Sequence, residues 1–161
     1  MIKKEIPFSI EIYASADELN SSDGNLLARA RAVTKEAYAP YSNFRVGAAA
    51  ILQGGKIVTG TNQENASYPV GICAERVLLS AVASQFDGVG IEAMAISYDN
   101  VNGESRQPIS PCGICRQSMT EYEDRTHQPM RVILAGMDGE VYVIENAHQL
   151  LPLSFTAGDM K

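Results

Sequence analysis

Between Glu5 and Ala14, Ile6, Phe8, Ile10 and Ile12 alternate with polar or small residues, and this period of two predicts an edge strand with one buried face. Pro7 has no N–H to give and confines such a strand to the margin of a sheet. Ser15 to Asn25 is polar, with one short helical turn at most. The spacing then changes. Leu26, Ala30, Val33 and Ala37 recur at helical intervals, predicting an amphipathic helix to about Tyr38 that ends before Pro40.

Val46 to Leu52 and Lys56 to Thr59 are apolar or β-branched segments joined across Gln53-Gly54-Gly55, the pattern of a β-hairpin. Cys73 to about Ala83 is apolar on nearly every face, as suits a helix buried in the middle of the molecule. A strand follows near Ile91 to Tyr98, then a loop to Ser110 and a helix from about Cys112 to Glu121. Two strands, Arg131 to Ala135 and Glu140 to Ile144, turn at Asp138-Gly139. Strands that alternate with helices predict a mixed sheet covered by helices, with the ligand site at strand ends and helix starts.

The chain has 161 residues, which suits one domain, and no apolar run is long enough to cross a membrane. The net charge of -6 and the absence of a Lys/Arg cluster exclude long nucleic acids as natural partners. The segment after Lys3-Lys4 is interrupted by polar residues rather than forming a leader core, so a cytoplasmic protein is expected.

The three cysteines carry the chemistry. Cys112 and Cys115 form a Cys-x-x-Cys pair at a predicted helix start, where free N–H groups and the helix dipole favour thiolates. Alone, that pair also fits a thioredoxin-like redox centre. Cys73 opens a second predicted helix, so three thiolates can converge on one Zn²⁺. There is no fourth cysteine, and neither His127 nor His148 stands at ligand spacing, so one coordination position is left open. Glu75, within the first turn after Cys73, can rim the same pocket without ligating, or can simply be a carboxylate stabilised by the dipole. Arg76 is the cation best placed to donate to the thiolate sulfurs; its plainer alternative is a solvated surface arginine.

Cys73-Ala74-Glu75-Arg76 followed by Pro111-Cys112-x-x-Cys115 resembles the cytidine deaminase family in its three-cysteine form. The resemblance continues through Ala39-Pro40-Tyr41-Ser42-Asn43-Phe44, Gly60-x-Asn62-x-Glu64-Asn65-Ala66, Tyr68-Pro69 and Leu150-Leu151-Pro152-x-x-Phe155. It implies a layered α/β/α domain on a central mixed five-stranded sheet. The N-terminal strand would be an added edge strand within an extension, residues 1–24, ahead of a catalytic core, residues 25–161.

The same resemblance implies one Zn²⁺ per chain on Cys73, Cys112 and Cys115, with Glu75 as proton carrier and Arg76 behind the sulfurs. Asn62 and Glu64 would bind the ribose 3′-hydroxyl, Phe44 would pack on the pyrimidine, backbone at Ala66 would read the base edge, and Tyr68 would line the substrate site. Phe155 would enter a neighbour's active site in a homotetramer. The implied reaction is hydrolytic deamination of cytidine and deoxycytidine in pyrimidine salvage. A buried carboxylate at Glu64 would repel phosphate, favouring free nucleosides over nucleotides. Blasticidin S-type deaminases share the zinc motif, and Asn62-x-Glu64-Asn65 argues for an ordinary nucleoside instead.

Overall fold

Small residues on one central strand set how closely the layers approach. In the computed structural model, which describes residues 1–161, β2 (Phe44–Leu52) carries Gly47, Ala48, Ala49 and Ala50 in succession. Alternate side chains of a strand point to opposite faces, so these four thin the sheet on both sides. A Cβ on Gly47 would lie 2.2 Å from the Ala30 carbonyl of α1 (Ser21–Val33), which therefore rests directly on the strand.

β2 pairs antiparallel with β3 (Ile57–Thr61) and with β4 (Ile91–Asn100), which runs parallel to β5 (Arg131–Ala135). β6 (Val141–Ile144) is antiparallel to β5, and β1 (Glu11–Tyr13) closes the edge, giving the order β1-β6-β5-β4-β2-β3. The mixed five-stranded sheet and its additional N-terminal edge strand are both present. Gly54 and Gly55 occupy positive φ in the β2–β3 turn, as the hairpin reading requires.

One face of the sheet carries α1, whose Leu26, Leu27 and Ala30 pack on Ala49, Ala93, Ala95 and Ile133. The opposite face carries α2 (Ala74–Gln85) and α3 (Gly113–Thr126), with Leu78, Leu79, Val82, Met119 and Tyr122 packed against Ala48, Ala50, Leu52, Met94 and Ile96. This is the α/β/α layering. Burial of Leu78, Leu79 and Val82 contributes about 1.5–3 kcal/mol each and holds α2 by its middle, which fixes the height of its first turn above the sheet.

Several boundaries differ from the sequence reading. β1 spans three residues rather than Glu5 to Ala14, and Ile6, Phe8, Ile10 and Ile12, expected to share a buried face, are 36% to 57% exposed. The reason lies in the partner. Glu11 pairs with Val143, so residues before Ile10 would need partners beyond Ile144, where the chain leaves the sheet for a 3₁₀ turn at Ala147–Leu150. α1 starts at Ser21 rather than near Leu26, because Asn20 caps it by accepting from the Asp23 amide at 3.0 Å. Asp23 itself is buried and paired with Arg131. α1 ends at Val33, and a 3₁₀ turn over Thr34–Glu36 completes the expected helical stretch. α3 runs to Thr126, past the expected end near Glu121. Its extension is held by buried Glu123, which accepts amide bonds from Met130, Ala147 and His148.

A Cβ on Gly60 would meet the Leu78 amide at 2.6 Å and the Ala74 carbonyl at 2.7 Å, whereas at Gly24 on α1 the nearest atom is 4.0 Å away. Gly60→Val should therefore destabilise the fold by about 1–3 kcal/mol through overpacking, while Gly24→Ala should stabilise it by up to about 1 kcal/mol. Denaturant titration of the two variants checks both signs.

Candidate metal centre and substrate cleft

α2 and α3 begin side by side, and each is preceded by a cysteine at its N-cap, Cys73 and Cys112. Cys115 lies in the first turn of α3 and is buried; Cys73 is half-buried and Cys112 exposed. The sulfurs of Cys73 and Cys112 are 3.8 Å apart, those of Cys112 and Cys115 3.5 Å apart, and all three lie within 4.8 Å of one another. Tetrahedral zinc with Zn–S near 2.3 Å places its sulfurs about 3.8 Å apart, so the spacing fits that ion. No histidine or carboxylate joins the group.

Thiols this close compete for protons. Cys115 is pushed up, first because it donates to Cys73 and then by burial, while Cys73, as acceptor, is drawn down to about 6. A divalent cation resolves the competition by taking all three as thiolates, and the helix N-termini favour the same charge state. The donor set therefore suits zinc chemically as well as geometrically.

Glu75 sits one residue into α2 and is only 5% exposed. Burial holds its carboxyl above the ordinary range. It lines a cleft of about 320 Å³ together with Cys73, Cys112, Asn62, Glu64 and Tyr68, of the size small-ligand sites have. Asn62 and Glu64 reach this cleft through a closed loop. Gln63 and Ile72 exchange both backbone hydrogen bonds at 2.9 Å, so the chain that leaves β3 after Thr61 and passes through Glu64 returns directly to Cys73.

Asn62 is committed on two sides. Its Oδ1 accepts from the Val46 amide at 2.7 Å, and its Nδ2 donates to the Phe44 carbonyl at 2.9 Å. Glu64 is half-exposed, which corrects the expectation of a buried carboxylate. Hydrogen bonds, not burial, set its state: the Ser42 hydroxyl foremost, with the amides of Tyr41 and Ser42, keeps its carboxyl below the usual range.

Cys115 and four other candidates stand outside the cleft lining. Phe44 stacks on Tyr98, with ring centres 4.8 Å apart. Ala66 is exposed in the loop. The Phe155 side chain is 60% exposed, and its carbonyl accepts from Gln117 on α3. Arg76 borders a groove between α2 and α3 with Ser80, Ser118 and Tyr122 and makes no hydrogen bond to the sulfurs; its charge still favours the Cys73 thiolate at a distance.

The sequence reading missed Val46, Ile72, Ile109 and Ser110, which complete the cleft wall. It also missed Arg116, whose Nε donates to the Pro111 carbonyl at 2.8 Å and whose Nη1 donates to the Leu150 carbonyl at 3.0 Å. Its only signal is position, one turn after Cys112. A larger hollow of about 830 Å³ around Asp124, His127 and Gln128 contains none of the cysteines, and the carboxylate at its base, Glu123, is already spent on backbone amides.

Residues 20–129 match the family model for the cytidine and deoxycytidylate deaminase zinc-binding region. The chain is 39% identical over 126 residues to a cytidine deaminase of Halalkalibacterium halodurans, covering 77% of this chain and 86% of that one. A blasticidin-S deaminase of Bacillus cereus is 30% identical over 117 residues, or 71% of this chain and 79% of that one. Among solved structures, the crystal structure of a cytidine deaminase from Burkholderia pseudomallei superposes with a TM-score of 0.70 at 40% identity, covering 85% of this chain and all of that one.

Arg116 ties the turn that presents Cys112 to the C-terminal segment through a two-pronged contact that lysine cannot reproduce. Arg116→Ala and Arg116→Lys should each weaken zinc retention about 10-fold or more. Competition against a chromogenic chelator measures it.

Proposed function

The chain belongs to the cytidine and deoxycytidylate deaminase family, and from that premise we propose that it hydrolyses cytidine and deoxycytidine to uridine and deoxyuridine, releasing ammonia. The observation that carries this reading is a single cleft lined by Cys73, Cys112 and Glu75 together with Asn62 and Glu64, with the buried Cys115 sulfur converging on the other two.

Cys73, Cys112 and Cys115 would hold the zinc. Bound there, zinc would supply a water acidic enough to serve as a nucleophile at neutral pH. Glu75 takes the proton that this water gives up and delivers it to N3 of the pyrimidine as C4 is attacked. It then carries the second proton from the C4 hydroxyl to the amino group, which leaves as ammonia. The balance is one water and one cytidine consumed, one uridine and one ammonia formed. Arg76 contributes positive charge near Cys73 without touching substrate.

Asn62 and Glu64 receive the sugar, and Glu64, an anionic acceptor, disfavours a phosphate beside it. Phe44, the backbone at Ala66 and Tyr68 complete recognition of the base. We read the enzyme as a homotetramer of single-domain chains in which Phe155 reaches a neighbouring cleft. Two observations support that reading: Tyr68 and Ile72 line the cleft yet are exposed, with exposed Val70 between them, and Tyr41 stands against Tyr68 at 6.2 Å. This apolar rim suits coverage by a second chain. No helix is long and apolar enough to cross a membrane. Three free thiols suit a reducing compartment, and we place the enzyme in cytoplasmic pyrimidine salvage.

Glu75→Gln should retain zinc and lower kcat at least ~10²-fold, the usual contribution of a positioned acid/base. Loss of cytidine absorbance, read with metal content before and after chelation, checks this. Turnover of blasticidin S in place of cytidine by zinc-loaded wild type would overturn the substrate assignment.

A further inference from the structure

Ser42 does not border the cleft, yet the donor and one acceptor position of its hydroxyl are committed to Glu64, which does, and to Phe44, which holds Asn62. Ser42 Oγ lies 2.5 Å from Glu64 Oε1 and accepts the Phe44 amide at 3.0 Å. An ionised carboxylate only accepts, so the single O–H of Ser42 must donate to Glu64. The second carboxylate oxygen, Oε2, receives the amides of Tyr41 at 2.8 Å and Ser42 at 3.3 Å.

The Phe44 residue that donates to Ser42 is also held by Asn62 through its carbonyl. Both polar residues of the sugar side are therefore fixed by one short stretch, the turn before β2 and the first residues of β2. The turn is shaped by Asn43, whose φ of 56° lies in the left-handed region that asparagine tolerates. Glu64 is anchored in the main chain as well, its amide donating to the Tyr38 carbonyl at 2.8 Å.

We propose that Ser42 is a positioning residue for substrate selectivity: its hydroxyl fixes the Glu64 carboxylate in the geometry that receives a sugar hydroxyl of the nucleoside. The inference rests on the reading of Glu64 as the sugar contact. A carboxylate offers about four acceptor positions. Three are filled by Ser42 and the two amides, so the position left open is on Oε1, the oxygen that Ser42 orients. A sugar hydroxyl can donate there; a phosphate brings charge and no donor. The depressed Glu64 carboxyl, owed first to Ser42, agrees with this arrangement.

The test compares two nucleosides, cytidine and 2′,3′-dideoxycytidine, which lacks the 2′- and 3′-hydroxyls and keeps the 5′-hydroxyl. In Ser42→Ala, kcat/KM for cytidine should fall about 10-fold, the size expected for a hydrogen bond to a charged group. KM should carry the loss, with kcat within about twofold of wild type, since Ser42 does not touch Glu75 or the sulfurs. For 2′,3′-dideoxycytidine, kcat/KM should change less than about twofold, because the interaction that Ser42 supports is absent. Ser42→Thr should restore cytidine turnover. In a Glu64→Gln background, adding Ser42→Ala should cost less than about twofold more.

Equal losses for both nucleosides would show that Ser42 only stiffens the turn, and would overturn the proposal. So would an unchanged KM for cytidine in Ser42→Ala. Equal use of the two nucleosides by wild type would remove the sugar contact and this proposal with it, while leaving deamination standing. Failure of zinc-loaded wild type to deaminate cytidine at all would instead overturn the function from which both derive.

Discussion

Three sulfurs held within a few ångströms of one another repel as thiolates and share protons as thiols, and the rest of the structure is organised to keep them there. The work falls to the two helices that start beside each other. Leu78, Leu79 and Val82 on α2 and Met119 and Tyr122 on α3 enter one apolar layer, so neither helix start can withdraw without exposing core. Gly60 lets α2 approach β3 closely enough for that layer to form, and Arg116 secures the turn before α3. A metal centre of this kind is prepaid by packing far from the metal.

The two walls of the cleft are built by different means. The metal wall stands on helix termini whose position follows from buried side chains. The wall of Asn62 and Glu64 stands on a polar lattice that runs from Glu64 through Ser42 and Phe44 to Asn62 and Val46, close to the surface. Apolar packing tolerates few displacements but carries no directional information, whereas hydrogen bonds specify direction and yield more readily to water. The division suits metal ligation, which requires fixed distances, and the sugar recognition proposed above, which requires oriented donors and acceptors.

What could be read from the sequence followed the same division. The cysteines, Glu75 and the helices they open were legible because spacing and helix-start position are local signals. The sheet was legible from the apolar or β-branched runs of β2 and β3, from the glycines of the β2–β3 turn and from Asp138-Gly139 between β5 and β6. The capped start of α1 was missed because Asn20 and Ser21 precede the apolar period. The exposure of the N-terminal apolar residues was missed because alternation shows which side chains share a face, not whether anything covers it. Ser42 and Arg116 were missed as actors because their partners, Glu64 and Leu150, lie far along the chain.

The N-terminal segment bears on how the protein behaves at high concentration. Ile6, Phe8, Ile10 and Ile12 stand exposed on a chain that continues from a sheet edge, the arrangement that recruits further strands into stacked ribbons. Its interruptions work against that. Pro7 removes a donor from any incoming ladder, and Lys3, Lys4 and Glu11 flank the apolar row with charge. These residues occupy the positions where gatekeepers against self-templated aggregation are placed.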